Sequence, residues 1–222
     1  MARGRRIALA LAIAAVLVSA LANGVAAQDS GRDYYQASAY RDGPQMLRNL
    51  NQNHYRLAAR QLQRRHYSEA RPDLEFMLRY FPNHPQALAG MAQVGIGLKR
   101  PDLADEYFRE AIGRYPQHDE TYVIYGVFLH KLARTDAAIA QYRKALAINP
   151  DSALGHYNLG LAYVDTKAYE QANAHAQKAY QLGITFTGLR RQLEAAGAWK
   201  PAEPPTGTST QTDGPPREGK AD

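Results

Sequence analysis

The middle of the sequence repeats itself every 34 residues, without a gap, from Asn51 to about Ile184. Asn51, Pro85, Asp119 and Ala153 are the first residues of four copies. Eleven of the twelve residues at positions 8, 20 and 27 are Gly or Ala, although only 29 of the 136 residues in the four copies are. Repetition at this period indicates a stack of small, similar supersecondary units. The small residues are Ala58, Ala92, Gly126 and Gly160 at position 8, Ala70, Ala104, Ala138 and Ala172 at position 20, and Ala111, Ala145 and Ala179 at position 27.

Each copy is predicted to form two amphipathic helices, because its apolar residues recur at spacings of three and four. Small residues at positions 8, 20 and 27 let the two helix backbones approach closely, whereas a bulky side chain would overpack the contact at a cost of about 1–3 kcal/mol. Position 32 is proline in the first three copies, as Pro82, Pro116 and Pro150, and a proline there is expected to end the second helix. One pair cannot bury its apolar face alone, so the copies must stack.

Two segments carry a resemblance to a known family: YNLGLAY at residues 157–163 and AIAQYRKALAINP at residues 138–150. With the 34-residue period, they resemble the tetratricopeptide repeat (TPR) family, and the chain is similar to its exported bacterial members. The resemblance implies an all-α fold, an α-solenoid of four TPR helix pairs with a C-terminal capping helix.

The predicted organisation follows from the repeat register and from changes in composition on either side of it. After Trp199 the sequence lacks any large apolar residue, so it cannot bury enough surface to fold. Residues 28–43 show no clear period, and their structure is left open. The predicted units are a signal peptide at 1–27, a long helix from about Pro44 leading into the first repeat at 44–84, repeats at 85–118, 119–152 and 153–186, a capping helix at 187–199, and a disordered tail at 200–222.

An arginine stripe marks the start of the array, with Arg48, Arg56, Arg60 and Arg64 at multiples of four. The inner repeats carry mostly apolar residues at the corresponding positions 10 and 14. We interpret the stripe as a solubilising end of the stack, because no repeat precedes it. A phosphate-binding surface is the less favoured alternative.

The first 27 residues have the three zones of a secretory signal: Arg3, Arg5 and Arg6, an apolar run, and small residues before Gln28. We therefore expect cleavage near Ala27–Gln28 and a periplasmic protein. The alternative is an uncleaved inner-membrane anchor, although the apolar run is shorter than the roughly 20 residues that a span requires.

Composition and motifs argue against several classes of function. The formal charge of +6 falls to +3 once three signal arginines are removed (6 − 3), which does not favour nucleic-acid binding. Without cysteine there is no thiol nucleophile and no Cys-ligated metal. Neither H-E-x-x-H nor a phosphate-binding glycine loop occurs, and no G-x-S-x-G elbow is present. We expect no enzyme activity, cofactor, metal or small-molecule substrate.

The family resemblance implies a concave surface lined by the first helix of each repeat. Its apolar centre with polar edges is typical of a site for an amphipathic helix or an extended apolar peptide. We therefore predict a scaffold that binds a protein partner in this groove and supports assembly of a cell-envelope complex. The alternative is a regulatory subunit that docks on a membrane-associated enzyme through its Arg-rich first helix. The predicted groove residues are Tyr55, Ala89, Gln93, Ile96, Val123, Val127, His130, Lys131, Tyr157, Leu161 and Val164.

Overall fold

The computed structural model describes residues 31–201, and every structural statement below refers to that range. The predicted signal peptide at 1–27 and nearly all of the predicted tail at 200–222 lie outside the described residues. A 3₁₀ helix comes first, and ten α-helices follow, the first two joined by a π-helical turn. The bounds are 3₁₀ Tyr34–Ala39, α1 Gly43–Asn49, π turn Leu50–Tyr55, α2 Arg56–Gln63, α3 Tyr67–Tyr80, α4 Pro85–Gly97, α5 Pro101–Arg114, α6 Asp119–Lys131, α7 Thr135–Ile148, α8 Ala153–Asp165, α9 Tyr169–Gln181 and α10 Gly188–Ala195.

The architecture is an α-solenoid of four helix pairs with a final helix, which confirms the predicted fold class. No strand occurs between residues 31 and 201. In the last three repeats the first helix begins at position 1, and in all four the second helix begins at position 17. Each pair packs on the next, and a continuous core runs through the stack.

The small residues of the repeat lie where paired helices approach most closely. All eleven are buried, as is Met77 at position 27 of the first repeat. A Cβ atom added to Gly126 would lie 2.4 Å from the ring of Tyr142 in the second helix of the same repeat. One added to Gly160 would lie 2.6 Å from Leu189 in α10. The size limit at these positions is therefore set by a neighbouring side chain.

A second periodic feature, not predicted from the sequence, is the backbone conformation of a residue just after each first helix. Position 15 adopts a left-handed conformation in all four repeats, with φ between 56° and 60°. The N–H of this residue bonds a carbonyl three residues back, and the next N–H bonds one five residues back. These are the two bonds of a Schellman motif, which satisfies free carbonyls at a helix end. The residues concerned are Arg65, Lys99, Ala133 and Lys167.

The three repeat prolines follow the second helices, each lying two residues beyond the last helical residue. Pro82 is buried, whereas Pro116 and Pro150 are exposed. Pro82 differs because the backbone of Gly31 lies against its ring.

The helical run that leads into the first repeat extends from Gly43 to Gln63 and contains the π turn at Leu50–Tyr55. Because a π turn widens the hydrogen-bonded loop by one residue, it shifts which side chains face the core on either side. Leu50 and Ala58 are buried on one side of the run. On the other side, the four arginines of the stripe, Arg48, Arg56, Arg60 and Arg64, are exposed to solvent.

At the other end, α10 covers the last repeat with the fully buried side chains of Leu189 and Leu193. The helix ends at Ala195, so the capping helix expected over 187–199 is shorter than predicted. Gly197 adopts φ 65° and forms a Schellman motif with the last turn, which stops the helix. The chain then turns back so that Trp199 packs on Tyr180.

Candidate partner-binding groove

The curvature of the stack follows from which helices contact each other. The first helices of neighbouring repeats are in contact in series, α2 with α4, α4 with α6, and α6 with α8. Between residues 31 and 201, neighbouring second helices are not in comparable contact. Since the first helices lie closer together than the second helices, they form the inner, concave side. We call this surface the groove.

Most of the predicted groove residues retain some exposure, as a binding surface requires. Gln93 and Lys131 are exposed, whereas Val123 is only 5% exposed and packs beside Tyr122 and Ala145. Val123 therefore offers a partner almost no surface. The remaining eight are half-buried: Tyr55, Ala89, Ile96, Val127, His130, Tyr157, Leu161 and Val164.

A polar contact links two repeats across the groove. His130 Nε2 lies 2.7 Å from a carboxylate oxygen of Asp165, and these residues occupy positions 12 and 13 of adjacent repeats. A carboxylate carries no hydrogen, so the ring N–H donates. The contact joins α6 to α8 at one edge of the groove.

The C-terminal half of the groove carries the largest exposed apolar side chains on this surface. Phe186 is 56% exposed and stands edge-on to the Tyr157 ring, with the ring centres 5.6 Å apart. Leu154, one turn before Tyr157, is 47% exposed. The predicted groove residues Leu161 and Val164 continue this strip along α8. Phe186 was not among the predicted groove residues, because it lies in the linker after α9 and the repeat pattern describes only the helices.

The segment that sequence reasoning left open is ordered over residues 31–42 against the turns between repeats, and we call it the strap. Its centre is Asp33, which is 3% exposed. One carboxylate oxygen accepts from Asn83 Nδ2 at 2.7 Å, and the other lies 2.8 Å from His118 Nε2. Asn83 follows the first repeat's second helix and His118 follows the second repeat's, so one carboxylate joins two inter-repeat turns.

Two tyrosines extend this contact. The Tyr34 N–H donates to Asn83 at 2.8 Å, and its ring lies 4.6 Å from that of His84. Tyr35 stacks on His118 with ring centres 4.2 Å apart, and its hydroxyl donates to Glu120 at 2.7 Å. Burial first, and then the Glu120 carboxylate, raise the pKa of Tyr35 well above its usual value, so the hydroxyl stays protonated and able to donate.

His84 is buried beneath the strap at the start of α4. Its Nδ1 accepts from the Ala87 N–H at 3.4 Å, while its Nε2 has no hydrogen-bond partner among the described residues. Burial lowers the pKa of His84 to about 4, because a charged ring would lose its hydration. His84 is therefore a neutral structural residue, and its buried side chain offers a partner no surface.

A histidine pair lies between the two helices of the last repeat. His156 Nδ1 and His175 Nδ1 are 2.8 Å apart, and His156 Nε2 lies 2.9 Å from the Pro150 carbonyl oxygen. His156 must then donate through Nε2 and accept through Nδ1, with His175 as donor. Burial first, and then the proximity of His156 and Arg143, lower the pKa of His175 to about 4, because a second proton on His175 would be disfavoured beside them. Within 31–201, no three side chains gather as ligands for a metal ion.

Comparisons with known proteins agree with the geometry. A family model described as tetratricopeptide repeat matches residues 55–119, and one described as TPR repeat matches residues 129–167. The solved structure of pilF from Pseudomonas aeruginosa is 24% identical, with a TM-score of 0.54, over 67% of this chain and 70% of that one. A thermophilic TPR protein from Thermus thermophilus, TTC0263, is 22% identical, with a TM-score of 0.52, over 67% of this chain and 84% of that one. At these identities the likeness concerns the fold alone.

Among curated proteins, the chain is similar to protein O-mannosyl-transferase TMTC3. The mouse protein is 27% identical over 121 residues and the human protein 28% identical over 102 residues. These matches cover 54% and 46% of this chain but only 13% and 11% of the relatives. The chain thus spans a small part of the curated proteins that it matches, and the activity in their name belongs to those proteins as a whole.

The chain is a TPR-family protein. TPR folds are scaffolds for protein–protein interaction, they are generally non-catalytic, and they bind proteins or peptides. The site that the geometry offers fits this class, since it is an extended surface between helices with a strip of exposed apolar side chains.

Proposed function

We propose that this protein is a periplasmic, non-enzymatic scaffold that binds a protein partner in its groove and supports assembly of a cell-envelope complex. The observation that carries the groove assignment is the exposed apolar strip, with Phe186 and Leu154 both close to half exposed. Contiguous apolar surface on an otherwise polar molecule is typical of an interaction site. The strip lies along α8 and the linker after α9, which suits an amphipathic helix or an extended apolar peptide.

The proposed location is supported by the sequence of residues 1–27 alone. None of the helices from residue 31 to residue 201 is long and apolar enough to cross a membrane. Mass spectrometry of the protein recovered from the source cells tests the proposal directly. A mature N-terminus at Gln28 is expected, and an intact N-terminus in the membrane fraction would favour the anchored alternative.

The groove is tested by placing a photo-crosslinking amino acid at the exposed positions Gln93 and Lys131, with Glu106 on a second helix as the control position. We expect one discrete partner to be captured from the groove positions and none from Glu106. The substitution Phe186→Glu in the same background should abolish capture. It should leave the melting temperature nearly unchanged, because Phe186 is 56% exposed.

The matched control for Phe186→Glu is Leu57→Glu, which also tests the second candidate function, docking through the Arg-rich first helix. Leu57 is 48% exposed among the arginines of the stripe, and none of the ion pairs within 31–201 involves Arg56, Arg60 or Arg64. If Leu57→Glu abolishes capture and Phe186→Glu does not, the first helix is the docking face and the groove assignment is wrong.

A further inference from the structure

The strap shows which groups the first two inter-repeat turns present to a segment of the chain that packs on them. Positions 33 and 34 of the repeat are Asn83 and His84 in the first turn and Gln117 and His118 in the second. Asn83 and His118 both donate to the carboxylate of Asp33. These two turns thus hold an acidic residue, which immediately precedes a 3₁₀ helix, by presenting hydrogen-bond donors to it.

The third turn, between the third and fourth repeats, carries a carboxylate at position 33, where the other two turns carry a side-chain amide. Its equivalent residues are Asp151 and Ser152, and the strap does not reach them. A cavity of about 320 Å³ opens here, lined in part by Asp119, Glu120 and Asp151. One cation is already present, because Lys178 lies 2.8 Å from Asp151. Three carboxylates against one ammonium leave an excess of two negative charges.

The existing contacts of these carboxylates leave room for a further donor. Asp119 accepts from Asn149 Nδ2 at 3.1 Å, and Glu120 accepts from the Tyr35 hydroxyl at 2.7 Å. Each contact uses one of the two oxygens of a carboxylate, which can accept about four hydrogen bonds in all. Glu120 is exposed and Asp119 half-buried, so both remain within reach of a partner.

An apolar surface adjoins this acidic rim. Leu154, which lines the same cavity, is 47% exposed and begins the strip that continues through Tyr157 toward Phe186. A partner lying on the strip therefore meets the carboxylates at one end. Tyr35 of the strap contacts the acidic rim through its hydrogen bond to Glu120.

We propose that the third turn binds the Lys or Arg side chain of a partner segment whose adjacent apolar residues lie on Leu154 and the rest of the strip. This inference rests on the proposed groove function and adds to it the charge and the direction of the bound segment. The basic end lies on Asp119 and Glu120, and the apolar face extends toward Phe186. Opposite charges at such a rim chiefly determine which partner is accepted and in which register.

The test uses two synthetic helix-forming peptides of about 14 residues, or about four turns, with one leucine face. They differ only at one end, which carries two lysines in one peptide and two glutamates in the other. Binding is measured by fluorescence anisotropy to the chain from Gln28 onward. We expect the lysine peptide to bind about tenfold more tightly at low salt, with the difference shrinking as salt rises from about 0.05 to about 0.5 M.

The double variant Asp119→Asn/Glu120→Gln should remove this preference, because it keeps the oxygen acceptors for Asn149 and Tyr35 while removing both charges. The matched control is Glu106→Gln/Glu110→Gln on α5, which should leave the preference intact. Equal binding of both peptides, or a preference that survives the Asp119/Glu120 variant, overturns the inference. If that equal binding is still lost in Phe186→Glu, the groove function stands without the charge assignment, whereas no binding by either peptide contradicts both.

Discussion

The left-handed residue at position 15 provides a sharp test of the fold, because it reverses the usual effect of glycine. Ala133 ends α6 with φ 57°. A non-glycine residue in this conformation costs about 1–2 kcal/mol. Glycine avoids that cost but loses about 0.5–1 kcal/mol more conformational entropy on folding. Ala133→Gly should therefore stabilise the protein by about 0.5–1 kcal/mol, the difference between these two costs, since no side-chain contact other than that of one methyl group is removed.

The control is Ala140→Gly, at an exposed position inside α7. There glycine should destabilise by about 1 kcal/mol, as in any helix interior. For a domain of this size, about 1 kcal/mol shifts the melting temperature by about 2–4 °C. Thermal unfolding followed by circular dichroism should show the two variants moving in opposite directions. A decrease in the melting temperature of Ala133→Gly like that of Ala140→Gly would refute the left-handed assignment.

Three further predictions concern packing, helix propensity and pH. Gly126→Ala should destabilise by about 1–3 kcal/mol in chemical denaturation, because the new Cβ would lie 2.4 Å from the Tyr142 ring. Gly113→Ala in α5 should instead raise the free energy of unfolding by about 0.5–1 kcal/mol, since the new Cβ would meet no atom within 4 Å beyond its own helix backbone and adjacent residues, and an unchanged or lower value would contradict this. The folded-state pKa values of His84 and His175, about 4, lie below their ordinary 6.5, so the unfolded chain binds more protons in this range and stability should fall as pH drops from about 6.5 to 4. His84→Asn, which keeps a side-chain acceptor at the start of α4, should make the melting temperature less sensitive to pH over that interval; an identical pH profile would show that His84 does not contribute.

The 34-residue period was sufficient to predict both the helix pairs and the family, because it reflects contacts between residues that are close in sequence. Gly126 and Ala138 are small because the two helices of one repeat pack against each other at these positions. The same contact recurs in every repeat, between residues that are close in sequence. Periodicity therefore reports these contacts directly. The Pro residues at position 32 report the helix ends in the same way. The length of α10 was less accessible, since its end depends on one left-handed glycine, Gly197.

The groove was only partly predictable, because exposure depends on what lies opposite a side chain. Val123 and Val127 have identical side chains on the same helix, yet Val123 is buried beside Tyr122 and Ala145 while Val127 remains half-buried. Repeat position alone does not separate them. Phe186, the most exposed large apolar residue of the strip, belongs to a linker that the repeat pattern does not describe.

The amino-acid sequence by itself determined that four helix pairs stack, because helix pairing is a short-range consequence of which residues are small and which are apolar. Only the tertiary structure decided how residues 31–42 are used. Asp33 contacts Asn83 and His118, 50 and 85 residues away. No period in the sequence links an aperiodic segment to particular turns, since it is the packing of consecutive repeats that brings the turns on either side of the second repeat within reach of one carboxylate.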